Sequence, residues 1–218
     1  MYKIGDDMNL YEYENELYDK GINYIGGVDE VGRGPLIGPV VASCVVLPKD
    51  FVLEGLTDSK KLSEKKRDKF YDYIIEHALA YGIGVVSPEE IDEINIYEAS
   101  RKAMLIAISK VREQINLEHV LIDAMPINID IPTTSIIKGD AKSISIAAAS
   151  VVAKVTRDKM MYELDKKYPM YGFASHKGYP TKKHIEAIHK YGLIEGYRKS
   201  YGPVKEVIDE KINNIAHS

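Results

Sequence analysis

Asp29, Glu30, Asp123 and Asp140 are the residues whose type and position in this chain could do chemistry together. Asp29, Asp123 and Asp140 each follow an apolar, strand-like run, and Glu30 is the immediate neighbour of the first. Strand ends in α/β sheets are where ligands collect. Carboxylates converging there, with no cluster of Cys or His, select a hard cation with oxygen ligands such as Mg2+ or Mn2+. Four unneutralised carboxylates repel one another and any phosphate, and a pair of divalent ions removes both problems. Two metals roughly 3.5–4 Å apart activate a water, steady a leaving oxygen and favour in-line phosphoryl displacement.

The first pair opens the stretch Asp29-Glu30-Val31-Gly32-Arg33-Gly34-Pro35. Glycine lets a backbone approach a ligand closely, so Gly32, Arg33 and Gly34 are expected to bring backbone and guanidinium to a phosphodiester. Neighbouring residues on a strand point to opposite faces. Asp29 and Glu30 can therefore share a metal site only if the strand ends or twists there, which Gly32 and Gly34 allow. A dinucleotide fingerprint is excluded, because Pro35 and a β-branched run stand where that motif needs a helix.

The elements that must position these residues are legible from periodicity. Leu10, Tyr13 and Leu17 are spaced like one face of a short helix. Residues 24–29 and 39–47 read as paired strands of a hairpin, 81–86 as a third strand, 119–124 as a fourth and 133–137 as a fifth. Ser63 caps a helix carrying Phe70, Ile74 and Ala78 on one face, and Ser87-Pro88-Glu89-Glu90 opens another. Asn95 is expected as a cap or turn before the apolar stripe Met104, Ala107, Ile108, Val111, Ile115. Residues 144–168, with Ala147-Ala148-Ala149, read as a central buried helix. A loop over 170–180 leads to helices at 181–191 and 204–215. This order predicts a mixed five-stranded sheet flanked by helices, its first strands antiparallel. The expected division is an N-terminal helical extension (1–23), a catalytic domain (24–168) and a basic helical C-terminal region packed on it (169–218).

Composition sets the compartment and the partners. Hydrophobic residues make up 45% of the 218 positions and charged residues 28%, as in an ordinary globular chain. No apolar run reaches the roughly 20 residues that span a bilayer, the N-terminus lacks a secretory pattern, and Cys44 is the only cysteine. A cytoplasmic protein with a buried structural thiol and no membrane partner is expected. The net charge of −4 hides an uneven distribution: residues 1–20 carry six acidic residues against two lysines, and 154–205 carry twelve Lys/Arg against five Asp/Glu. A basic C-terminal third beside an acidic cluster suits an enzyme that binds a polyanion and holds cations.

Several of these stretches together resemble bacterial ribonuclease HII, the type 2 ribonuclease H family. They are Val28-Asp29-Glu30-Val31-Gly32-Arg33-Gly34-Pro35, Asp58-Ser59-Lys60-Lys61-Leu62, Leu121-Ile122-Asp123, Lys138-Gly139-Asp140 and the run from Ser145 to Asp158. His176-Lys177-Gly178-Tyr179-Pro180-Thr181 and Arg198-Lys199-Ser200-Tyr201-Gly202-Pro203-Val204 match it too. The resemblance implies a ribonuclease H-like fold, cutting of the RNA strand in RNA–DNA hybrids, and incision 5′ of single ribonucleotides in duplex DNA. It implies 3′-hydroxyl and 5′-phosphate products. Asp29, Glu30, Asp123 and Asp140 correspond to the family's metal-binding carboxylates. Gly32, Arg33 and Gly34 correspond to the group that contacts the ribonucleotide 2′-hydroxyl, and Tyr179 to the residue that stacks at the RNA–DNA junction.

Lys60 and Lys61 are expected to meet phosphates. Asp158, well inside the central helix, is expected with Arg157 to be structural, and His176 and His184 to be ordinary surface histidines. A ribonuclease HIII-type enzyme is the nearest alternative, disfavoured by the short N-terminus. A non-catalytic hybrid-binding protein is disfavoured because all four carboxylates are present, and a small-molecule phosphatase by the basic C-terminal third. A monomer is expected.

Overall fold

Alternating and β-branched apolar residues build one sheet from β1 (Ile25–Val31), β2 (Val40–Val46), β3 (Ala80–Val86), β4 (His119–Asp123) and β5 (Thr133–Ile136). Its order is β3-β2-β1-β4-β5. β1 pairs antiparallel with β2, and β2 with β3, while β4 runs parallel to both β1 and β5. This is the mixed sheet expected from the sequence. The computed structural model describes residues 10–216; positions 1–9 of the acidic N-terminal stretch lie outside the described residues.

The helices are α1 (Glu12–Asp19), α2 (Glu64–His77), α3 (Pro88–Arg112), α4 (Ile144–Lys167), α5 (Phe173–His176), α6 (Lys182–Tyr191) and α7 (Gly202–Ala216). One sheet face buries Val28, Ala42, Cys44, Val120 and Ile122 against Ala99, Ala103, Ala107 and Val111 of α3. The other takes the alanine-rich side of α4, with Val45, Ala147, Ala148, Val151 and Val152 packed together with Phe70 and Ile74 of α2. Small residues let α4 come very close: a Cβ on Gly27 of β1 would lie 2.1 Å from the Ser145 carbonyl carbon. α1 lies beside α4 on the same face, where Leu17 joins Ile25, Leu121, Ile136 and Ile146. The C-terminal helices pack on Leu36 and Ile37, which follow β1.

Caps fall where the sequence placed them. Ser63, Ser87 and Thr181 accept from the backbone N–H three residues on, at 3.4, 3.3 and 3.3 Å. Asn95 has φ of 70° and breaks α3, its Oδ1 accepting from Tyr97 N (2.9 Å) and Glu98 N (3.1 Å). Cys44 is buried and its thiol is pushed up by that burial. Two readings change. β1 runs past Asp29 to Val31, still paired with β2, and the supposed loop over 170–180 contains the short α5. No helix among the described residues is long and apolar enough to cross a membrane.

Candidate active site

β1 and β4 are parallel, so their carboxyl ends lie side by side, and both carry acid there. Pairing between them stops at Val28–Ile122; beyond it β1 has a neighbour only on the β2 side. Alternation puts Asp29 with Gly27 on the α4 face and Glu30 with Val28 on the α3 face. Of the two conditions expected for the acids to share a site, that the strand ends or that it twists there, the first is not met. The strand continues, and it is β4 that stops, leaving a gap that both side chains border.

Asp140 reaches the same place from a 3-10 turn, Gly139–Ala141, between β5 and α4. The turn follows Lys138 in the left-handed region (φ 58°) and is tied to β4 by the Gly139 N–H, which donates to Asp123 Oδ1 at 2.6 Å. Asp29 is only 7% exposed. Burial and the charges of Glu30, Asp123 and Asp140 hold its carboxyl well above the usual range, although its Oδ1 accepts from Glu30 N at 2.7 Å. Burial and Asp123 raise Glu30 as well, opposed by Arg33, whose guanidinium stands 3.6 Å away. Asp140 is pushed up to about 6 by burial, Asp58 and Asp123. Glu30 Oε2 is buried with no hydrogen-bond partner. Among the described residues, no three His, Cys, Asp or Glu side chains close into a ready-made metal cage. The four carboxylates gather negative charge that Arg33 and Lys60 offset only in part, since Asp29, Glu30 and Asp140 are all still raised.

The loop after β1 is held from beneath by two arginines, each 0% exposed. Arg198 donates to the carbonyls of Gly32 (2.6 Å), Arg33 (3.0 Å) and Gly38 (2.8 Å), and Arg157 to those of Pro39 (3.0 Å), Ile37 (3.1 Å) and Lys177 (2.9 Å). Tyr201 also donates to the Arg33 carbonyl, at 2.6 Å. Gly32 sits at φ +96°, and a Cβ there would lie 2.4 Å from Arg157 Nε; no other residue fits. The loop carbonyls are therefore consumed, while the amide N–H groups of Arg33 and Gly34 donate to nothing among the described residues. Arg157 is structural, as expected. Arg198 stands in a motif quoted from the sequence, but its hold on this loop could not be read there, because the carbonyls it meets lie more than 150 positions away.

Tyr179 is brought to this loop. A Cβ on Gly34 would lie 3.2 Å from its ring, which is 39% exposed. The Gly178 carbonyl accepts from Leu36 N at 2.8 Å. Lys60 is exposed within electrostatic reach of the cluster: burial disfavours its charge, but Asp58, Asp29, Asp140 and Tyr179 outweigh that and raise it. Lys61 is exposed on the same turn, and no hydrogen bond or ion pair joins it to the carboxylates. Asp58 is a site residue that sequence reasoning passed over. It caps the turn through Lys60 N (2.9 Å) and faces Asp140; its place in the Asp58-Ser59-Lys60-Lys61 motif was the available signal. Asp158 is structural, accepting from Lys154 at 2.6 Å and lying 3.9 Å from Arg67. Arg67 in turn donates to the carbonyls of Ser59 and Leu62.

Of the two histidines expected at the surface, His184 is buried and His176 half-buried. His184 is fully buried, with Nδ1 2.8 Å from the Tyr179 carbonyl and Nε2 2.9 Å from the Tyr197 hydroxyl, and its ring stacks on His176 at 4.2 Å. His176 bridges the Tyr171 carbonyl (2.8 Å) and Gly178 N (3.2 Å). A neutral imidazole can be buried when both nitrogens are satisfied, and here the pair fixes the backbone that carries Tyr179. Burial lowers His184 to about 4. A base with a depressed folded-state pKa binds more protons when unfolded, so its contribution is complete above the unfolded value near 6.5. It is lost as pH falls from there toward about 4, by on the order of 2 kcal/mol. Melting curves from pH 7.5 to 4.5 should show the gap between wild type and His184→Gln narrowing as pH drops. A gap independent of pH contradicts this.

Residues 26–201 match the family model described as Ribonuclease HII. A ribonuclease HII of Bacillus mycoides is 58% identical over 203 residues, covering 93% of this chain and 78% of that protein. Among solved structures, the ribonuclease H2 of Pyrococcus horikoshii is 27% identical with a TM-score of 0.73, covering 86% of this chain and 98% of that one. Bst-RNase HIII in complex with Mn2+ shares the fold at 17% identity and a TM-score of 0.71, covering 86% and 70%. Fold and sequence agree: the chain belongs to the ribonuclease HII family and is an endoribonuclease of the ribonuclease H type, acting on RNA–DNA hybrids.

Proposed function

We propose that the chain cuts the RNA strand of RNA–DNA hybrids and also incises duplex DNA 5′ of a single embedded ribonucleotide. The products are 3′-hydroxyl and 5′-phosphate ends, and two Mg2+ or Mn2+ ions are held by Asp29, Glu30, Asp123 and Asp140. The donor set is all oxygen, Glu30 Oε2 is buried and unpartnered, and the carboxylates repel one another. A hard divalent cation fits those residues. When bound, the ions supply an activated water and stabilise the leaving oxygen.

The protein's own groups then bind and orient the strand. The free N–H groups of Arg33 and Gly34 read the 2′-hydroxyl, the group that tells RNA from DNA. Arg33, Lys60 and, further out, Lys61 meet phosphates. The ring of Tyr179 stacks against the sugar or base on the DNA side of the junction, worth roughly 1–3 kcal/mol. Residues 24–168 thus carry the carboxylates and 169–218 the stacking group, in a protein that acts as a monomer. The observation that carries this reading is the contact of Gly34 with Tyr179 at the acidic end of the sheet.

The test is incubation with a DNA duplex containing one ribonucleotide, with Mg2+ or Mn2+, and mapping of the ends. Incision 5′ of the ribonucleotide is expected, and no product with either ion overturns the reading. Tyr179→Ala should lose about tenfold or more on that substrate and less on a uniform hybrid; equal losses would remove junction reading from Tyr179.

A further inference from the structure

The first turn of a helix leaves backbone N–H groups without partners inside the helix. At the start of α4 those groups are satisfied by Ser143, by Leu10 just before α1 and by Glu14 of α1. The Ile144 N–H donates to the Leu10 carbonyl at 2.7 Å. The Ser145 N–H donates to Glu14 Oε1 at 3.0 Å, and the Ser143 hydroxyl to the same oxygen at 2.6 Å. Ser143 Oγ in turn accepts from Ile146 N at 3.1 Å. Glu14 is 1% exposed, its Oε2 is buried without a hydrogen-bond partner, and burial pushes its carboxyl up. A carboxylate also suits the positive end of a helix.

What α4 carries at that end is the Asp140 turn. Ser143 N donates to the Gly139 carbonyl at 2.8 Å, Lys142 N does so at 2.9 Å, and Gly139 N reaches Asp123. The turn is therefore clamped between two anchors: Asp123 at one end and, through Ser143, Glu14 at the other. We infer that Glu14 is a positioning residue for the reaction, its carboxylate fixing from α1 the turn that presents Asp140. α1 lies outside the segment 26–201 matched by the family model. The inference rests on Asp140 being a metal ligand.

The experiment measures Mn2+ binding by calorimetry on the full chain, with kcat and KM on the ribonucleotide-containing duplex. The variants are Glu14→Ala, Glu14→Gln, Leu17→Ala and Asp140→Asn. Groups that orient metal ligands typically change affinity by 10–100-fold, so Glu14→Ala should weaken Mn2+ by about tenfold. It should lower kcat by about tenfold with little change in KM. Glu14→Gln keeps the accepting oxygen and should restore both to within about threefold of wild type. Leu17→Ala loosens α1 packing but should bind Mn2+ like wild type. Should Glu14→Ala not fold, Glu14→Asp, one methylene shorter, is expected to move in the same direction. Wild-type Mn2+ binding and kcat in Glu14→Ala, or the same defect in Leu17→Ala, overturns the inference. Wild-type Mn2+ binding in Asp140→Asn instead removes the reading it rests on.

Discussion

Asp123→Asn is expected to abolish cleavage, by about three orders of magnitude or about 4 kcal/mol of barrier, while the fold survives. Asparagine is the informative replacement because its Oδ1 can still accept from Gly139 N, the 2.6 Å bond that ties the Asp140 turn to β4. What disappears is one negative charge among four. That charge helps to raise Asp29, Glu30 and Asp140, so in EDTA the variant should melt at or above the wild-type temperature. A gain of 1 kcal/mol corresponds to roughly 2–4 °C for a chain of this size. Adding Mn2+ should stabilise wild type through its preferential binding to the folded state and the variant much less. Calorimetric melts with and without Mn2+, beside a cleavage assay, check this. A variant that melts several degrees lower in EDTA, or one that still cuts, would show that Asp123 acts chiefly as scaffold.

Arg198→Ala should be the most damaging substitution away from the carboxylates. A buried guanidinium with no carboxylate partner is costly, and burial lowers the pKa of Arg198. It persists because its donors meet the carbonyls of Gly32, Arg33 and Gly38 and the Tyr201 hydroxyl. Removing it leaves those carbonyls unsatisfied and opens a cavity, for a loss on the order of 4 kcal/mol, or about 10 °C in Tm. The loop it holds is the one offering the Arg33 and Gly34 N–H groups, so KM for a ribonucleotide-containing duplex should rise as well. Arg198→Lys should not restore either property, since an ammonium is a point donor and cannot span the same fork. Thermal melts and steady-state kinetics decide. A variant within a couple of degrees of wild type with unchanged KM would mean that the loop holds its shape without the arginine.

The two substitutions probe parts of the site that differ in how far they could be read without a structure. Asp29, Asp123 and Asp140 were legible because each stands beside a run of apolar residues whose period marks a strand, and strand ends gather ligands. The caps at Ser63, Ser87 and Thr181, the break at Asn95 and the alanine face of α4 were legible for the same reason: their causes lie within a few positions of the residues themselves.

The order of elements, the mixed sheet and the identity of the acidic groups follow from local patterns along the chain. How Asp29 and Glu30 come to border one gap depends on the three-dimensional arrangement, since it follows from where β4 stops rather than from β1. The same arrangement decides that Arg198 and Arg157 bind carbonyls of the loop after β1, that His184 is buried beneath Tyr179, and that Glu14 caps a helix in another part of the chain. These groups satisfy partners 3 to 166 positions away in the sequence. A buried polar side chain is tolerated wherever its hydrogen bonds are met, and for most of these pairs no periodicity announces where the partner will be.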